Sequence, residues 1–103
     1  MSVQKSWAEL EKMHRACVIV VDTLEALAQA AVPGVKTKEL DTIARERILK
    51  AGARPAFLGY RDYPATLCIS VNEEVVHGIP GPYRLQSGDI ISIDIGVTLD
   101  GWV

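Results

Sequence analysis

The sequence predicts an α+β fold in which two helices back an antiparallel sheet. Three observations carry this. The first half has two amphipathic runs of helical period, the second half has two runs of strict alternation, and a Gly/Pro-rich stretch separates the alternating runs.

The first helix is predicted from the capping box Ser6-Trp7-Ala8-Glu9, where the Ser6 hydroxyl takes one orphan amide and Glu9 reaches back to another. Its apolar stripe reads Leu10, Met13, Cys17, Val20, Val21, Leu24, Leu27 and Ala28. It should run to about Ala31 and stop at Val32-Pro33-Gly34. The second helix should start from Thr37 as its cap, bury Leu40, Ile43, Ala44, Ile48 and Leu49, and end against Gly52.

Residues 53–64 hold two prolines and three aromatics, Phe57, Tyr60 and Tyr63, and read as an ordered loop. Thr66 to Val71 alternates, with Leu67, Ile69 and Val71 on one face. Asn72-Glu73-Glu74 is a turn, and Val75-Val76 is a short extended piece ending at His77. Ile90 to Ile95 alternates again, with Ile91, Ile93 and Ile95 opposed to Ile90, Ser92 and Asp94. Val97 to Val103 reads as a hairpin about an Asp100-Gly101 turn. The aliphatic strand faces should pack on the helices. The faces with Cys68, Ser70, Ser92 and Asp94 should then line one surface, where chemistry would sit.

Composition bounds the function. The chain has 103 residues, 49% hydrophobic and 23% charged, with net charge -2 and pI near 5.6. That is one small domain or part of a larger one. The mild acidity points to neither nucleic acid nor a membrane surface. The apolar stretch 16–32 is broken by Asp22, Glu25 and Gln29, which argues against a membrane span, and no signal peptide is legible at the N-terminus. Cys17 and Cys68 lack metal-type spacing and read as free thiols in a reducing, cytoplasmic compartment.

Three features could carry chemistry. Asp94 is a carboxylate inside an aliphatic strand. It is either paired, for instance with a metal, or a solvent-facing residue of a half-exposed sheet. His77 precedes a rigid Gly/Pro turn, as a ligand, a hydrogen-bond donor, an acid/base, or an ordinary loop histidine. Phe57, Tyr60 and Tyr63 either wall an apolar pocket or cap the core.

The run Cys68-Ile69-Ser70-Val71-Asn72-Glu73-Glu74-Val75-Val76-His77-Gly78-Ile79-Pro80 closely resembles the segment of type I methionine aminopeptidases around their active-site histidine. Gly88-Asp89-Ile90-Ile91-Ser92-Ile93-Asp94-Ile95-Gly96 and Asp100-Gly101-Trp102 resemble the first metal-ligand strand and the hairpin after it. Leu58-Gly59-Tyr60 and Tyr63-Pro64 fit the preceding loop. The resemblance implies the first half of a pita-bread (creatinase/aminopeptidase) fold, with residues 1–103 a single partial domain cut after Val103. It implies an enzyme that removes the initiator methionine of nascent polypeptides.

By the same resemblance, Asp94 is the first carboxylate of a centre of two divalent ions (Co, Mn, Fe or Zn). His77 hydrogen-bonds the scissile amide, and Tyr60, Tyr63 and Cys68, with Phe57 at the edge, line the methionine pocket. In the family a second metal-binding Asp follows the Asp-Gly hairpin, which by the spacing of this motif falls just past Val103. A His and two Glu lie further on. One carboxylate does not hold such a centre, so the chain alone is expected to bind no catalytic metal pair and to be inactive. The rival reading is an inactive half-module that folds or associates, for example as a homodimer. A pita-bread relative of other function, such as an Xaa-Pro peptidase, fits the run 72–78 less well.

Overall fold

The computed structural model describes residues 6–59, 63–72 and 78–99. Helix α1 spans Trp7–Ala30 and helix α2 Thr37–Lys50. They are followed by four short strands: β1 (Arg54–Pro55), β2 (Cys68–Val71), β3 (Ile91–Asp94) and β4 (Val97–Thr98). The expected hairpin turn at Asp100-Gly101 and the extended piece at Val75-Val76 lie outside the described residues, as do Tyr60 and His77.

Helix α1 begins as its sequence requires. Ser6 Oγ accepts from the Glu9 amide, and a Glu9 carboxylate oxygen accepts from the Ser6 amide. Its buried face matches the expected stripe only in part, at Leu27 and Val20. Ala16, Thr23 and Leu27 are buried and Ile19 and Val20 pack beside them, whereas Leu10, Met13, Val21 and Leu24 are exposed. Thr23 can lie on the buried face because its hydroxyl donates to the Ile19 carbonyl one turn back, at 2.7 Å. A hydropathy stripe cannot credit a threonine satisfied within its own helix.

Helix α2 buries Leu40, Ala44 and Ile48 as expected, but Leu49 is 52% exposed. Thr37 does not cap it. Lys36 holds the cap position without a side-chain bond, and Thr37 is the first helical residue. The Thr37 hydroxyl turns instead to the loop at Gly81, accepting from its amide (2.8 Å) and facing its carbonyl (3.2 Å). The amides of Thr37 and Lys38 donate to the carbonyls of Tyr83 and Gly81, so the loop itself satisfies the helix start. At the other end Gly52 takes φ +87, the left-handed conformation that ends helices.

β2 and β3 pair antiparallel with Cys68 opposite Asp94, Ile69 opposite Ile93, Ser70 opposite Ser92 and Val71 opposite Ile91. Both strands are shorter than the alternating runs that foretold them. Their aliphatic face packs as expected on Leu27, Leu40, Ala44 and Leu85. A second cluster joins Ala16, Ile48, Ala53, Val97 and Leu99. It forms because β4 pairs with β1, Arg54 opposite Thr98 and Pro55 opposite Val97. Part of the stretch read as loop is therefore a strand. Pro55 obscured it, since proline is tolerated only at the margins of a sheet.

Candidate functional site

The strand register assembles the site. Directly opposed residues of an antiparallel pair project to the same face. Cys68 and Asp94 thus share the face away from the helices, with Ser70 and Ser92 beside them. Ser92 and Asp94 are exposed, while Cys68 and Ser70 are half-buried.

Tyr63, from the loop after β1, stands next to Cys68, and Phe57 of the same loop stands against Tyr63. The rings of Phe57 and Tyr63 meet edge to face, with centroids 6.4 Å apart and planes at 79°. The Tyr63 hydroxyl lies 2.7 Å from the Leu67 carbonyl and 3.3 Å from that of Gly78. Burial, the Cys68 thiol beside it and the Asp41 carboxylate further off together hold the Tyr63 phenol well above its ordinary pKa. Phe57 is fixed from behind. The Ala56 amide donates to the Gly96 carbonyl (2.9 Å), and a Cβ added at Gly96 would lie 3.3 Å from Ala56 Cβ and 3.6 Å from the Phe57 ring. Of the expected site residues, Cys68 is thus opposite Asp94, Tyr63 is beside Cys68, and Phe57 touches Tyr63 from the side nearer Gly96. Tyr60 and His77 are not among the described residues.

The segment carrying His77 leaves β2 at Asn72 and returns at Gly78. The Ile69 amide donates to the Gly78 carbonyl, and a Cβ at Gly78 would sit 3.2 Å from Ile69 N and O and 3.1 Å from Ser70 Oγ. A side chain at that position would press tightly on the strand, so glycine suits the approach.

Two supports escaped the sequence reading. Asp41 of α2 accepts with one carboxylate oxygen from the amides of Thr66 (2.9 Å) and Leu67 (2.7 Å), which ties the helix to the lead into β2. Asp89 accepts from Tyr83 Oη (2.7 Å), the Gln86 amide (2.8 Å) and Asn72 Nδ2 (3.0 Å). Asp41 lacks a local signal, since its partners lie far along the chain. The Asp89–Gln86 contact is a local turn that Gly88 hinted at.

As a metal site, this face supplies one carboxylate. No three His, Cys, Asp or Glu side chains group together among the described residues. A divalent ion of oxygen preference needs several converging donors. The described residues therefore do not by themselves fit a two-metal centre, and Asp94 can be one ligand within a larger set.

Residues 11–103 match the sequence profile of Metallopeptidase family M24. The chain belongs to the M24 metallopeptidase family. Among M24 relatives, it is 51% identical over 98 residues to a methionine aminopeptidase of Borreliella burgdorferi, covering 95% of this chain and 39% of that protein. It is 51% identical over 102 residues to methionine aminopeptidase 1 of Bacillus subtilis, covering 99% and 41%. The crystal structure of methionine aminopeptidase from Rickettsia prowazekii superposes with a TM-score of 0.91 at 35% identity, covering 99% of this chain and 41% of that one. The enzyme from Thermotoga maritima superposes with the same score at 38% identity, covering 98% and 41%. The fold is thus the pita-bread α+β fold of these M24 enzymes, and the resemblance to the N-terminal portion of type I methionine aminopeptidases holds. The chain spans about two fifths of the length of the relatives it matches.

Proposed function

We propose that this chain is part of a metal-dependent methionine aminopeptidase that removes the initiator methionine from nascent polypeptides in the cytoplasm. The observation that carries the proposal is the register placing Cys68, beside the Phe57–Tyr63 pair, directly opposite Asp94. In this reading the wall of the side-chain pocket, begun by Cys68 and Tyr63, lies beside the metal-binding carboxylate. An exopeptidase needs that adjacency, because the bond to be cut lies one residue from the side chain being recognised.

In this reading Phe57, Tyr63 and Cys68, together with Tyr60, receive the methionine side chain. A flexible thioether packs well against aromatic edges and sulfur. The substrate's terminal residue is held by that wall so that its peptide bond lies toward Asp94. Asp94 contributes one ligand to a pair of divalent ions (Co, Mn, Fe or Zn), which when bound supply Lewis-acid polarisation of the scissile carbonyl. His77 hydrogen-bonds the scissile amide. Because Asp94 is a single carboxylate, we propose that the 103 residues alone are inactive.

The test is cleavage of a Met-Ala peptide by two proteins: the chain itself, and a chimera completed with the remaining length of the Bacillus subtilis relative. The expected result is turnover in the chimera only. In it, Asp94→Ala should lose metal, and His77→Ala should keep metal while losing about two orders of magnitude in kcat, the scale for one transition-state donor. Turnover by the chain alone, or metal loss in His77→Ala, overturns the assignment.

The second reading, an inactive half-module that associates with itself, is favoured by the exposed aliphatics Leu10, Met13, Val21 and Leu24 along α1. It expects a homodimer in sedimentation at micromolar concentration, and a monomer across that range removes it. No helix among the described residues is long and apolar enough to cross a membrane.

A further inference from the structure

The register of β2 against β3 has no tight turn to set it. Residues 72–90 intervene between the strands, and register in a hairpin comes from its turn. The apolar pattern does not set it either. Leu67, Ile69 and Val71 face Ile91, Ile93 and Ile95 with a common period of two, so a slip of two residues would keep every face correct. Ile91, Ile93 and Ile95 are only half-buried, as is Val71, whereas Leu67 and Ile69 are fully buried. Core packing therefore holds β2 firmly, and β3 is held past Asp94 by the Ala56–Gly96 bond and the buried Val97 and Leu99, which leaves the start of β3 at Ile91 to be fixed. A slip would carry Asp94 away from Cys68.

Specific bonds lie at the end of the pair, one step beyond Val71 and Ile91. Asn72 has φ +55, which turns the chain out of the strand. Its amide still donates to the Ile90 carbonyl (2.6 Å). The reciprocal bond is made by the side chain, with the Ile90 amide donating to Asn72 Oδ1 (2.9 Å). The same carboxamide donates through Nδ2 to Asp89, whose other oxygen takes Tyr83 Oη and the Gln86 amide. The carboxamide is thus oriented at both ends, and the left-handed backbone suits asparagine better than most residues. A slip of two residues would break the three bonds that Asn72 makes to Ile90 and Asp89 at once, while the bonds of Asp89 to Tyr83 and Gln86 would travel with β3.

We propose that Asn72, Asp89 and Tyr83 form a register clasp that positions Asp94 opposite Cys68. They are positioning residues, and the functional meaning of the clasp rests on the proposed role of Asp94. The clasp itself can be read without any activity.

Ile69 directs its amide to Gly78, away from β3, so Ile69 and Ile93 are a non-hydrogen-bonded pair. The α-protons of such a pair approach closely. In the 103-residue chain the Ile69–Ile93 cross-strand NOE therefore reports the register. Asn72→Ala should weaken it and bring up an NOE displaced by two residues, from Ile69 to Ile91 or Ile95, while NOEs between α1 and α2 persist. Asn72→Asp should do the same, because it sets two carboxylates face to face. Adding Asp89→Asn to Asn72→Asp exchanges donor and acceptor and should restore the wild-type NOE. Tyr83→Phe removes one exposed hydroxyl and leaves the core intact. It should speed hydrogen exchange at the Ile90 amide, and it serves where the Asn72 variants do not fold. An undiminished Ile69–Ile93 NOE in Asn72→Ala, no rescue by the exchange pair, or unchanged Ile90 exchange in Tyr83→Phe overturns the clasp. Metal retention by Asp94→Ala in the completed chimera would overturn the metal role and leave the clasp standing.

Discussion

Asp41 lies on helix α2, yet one of its carboxylate oxygens receives the Leu67 amide at 2.7 Å, and the same oxygen receives the Thr66 amide. One side chain thereby fixes the lead into the strand that carries Cys68. Bonds to an ionised acceptor contribute about 1.5–3 kcal/mol, and leaving buried donors unmet has a comparable cost. Asp41→Ala should lower stability in urea by roughly that amount. Asp41→Asn keeps an oxygen in place and should recover most of it. Equal losses in the two variants would show that the charge, not the acceptor geometry, is what matters.

Tyr63 gives a signature at high pH. Its phenol is raised chiefly by burial, then by the neighbouring Cys68 thiol. The folded state therefore holds this proton after the unfolded chain releases it. The sign follows from linkage: the contribution is intact below the unfolded value near 10 and fades as pH climbs toward the folded value. Absorbance titration at 295 nm should show phenol ionisation displaced upward in wild type relative to the unfolded chain, and Tyr63→Phe should remove most of the displacement, the remainder belonging to Tyr83, which its bond to Asp89 also raises. Full ionisation of every tyrosine at the ordinary value would contradict the burial described for this ring.

At low pH the relevant group is Asp89. The Gln86 amide first, then Asn72 and Tyr83, hold its carboxyl below the ordinary value of 3.8. A depressed folded pKa means that its contribution is present above the unfolded value and is lost as pH falls through the folded one. Melting followed below pH 4 should show a steeper loss in wild type than in Asp89→Asn. The difference should be small, because the group is solvent-exposed and screened. Parallel curves would remove Asp89 from the acid response.

Leu40 and Leu49 separate the two sides of α2. Leu40 is fully buried and Leu49 is 52% exposed. Leu40→Ala should cost about 2–5 kcal/mol, and Leu49→Ala within about 0.5 kcal/mol. Chemical denaturation of both variants checks this, and similar costs would restore the stripe that periodicity alone suggested.

Much of the fold could be read from local signals: the Ser6–Glu9 box, Gly52 after α2, and the alternation of 67–71 and 91–95. What could not be read depends on distant partners. Thr23 hides its polarity inside its own helix, Thr37 serves Gly81 instead of a cap, and Arg54-Pro55 becomes a strand only because Val97-Thr98 lies beside it. The site divides in the same way. The alternation placed Cys68 and Asp94 on outward faces, but their facing each other depends on register, which no short stretch encodes. Asp41, Asn72 and Asp89 act across long separations and leave no periodic trace.

The pairing of β1 with β4 also bears on the order of events during synthesis. Ala53 and Ile48 belong to a cluster that is completed by Val97 and Leu99. On the ribosome, α1 and α2 emerge long before those two residues. The apolar side of the helix pair near Ala16 must then wait, solvated, for the last described strand to arrive. Closing so large a loop is slow compared with forming helices. A pause in translation between β1 and β4 would prolong the interval in which a chaperone, or an unwanted partner, finds that surface open.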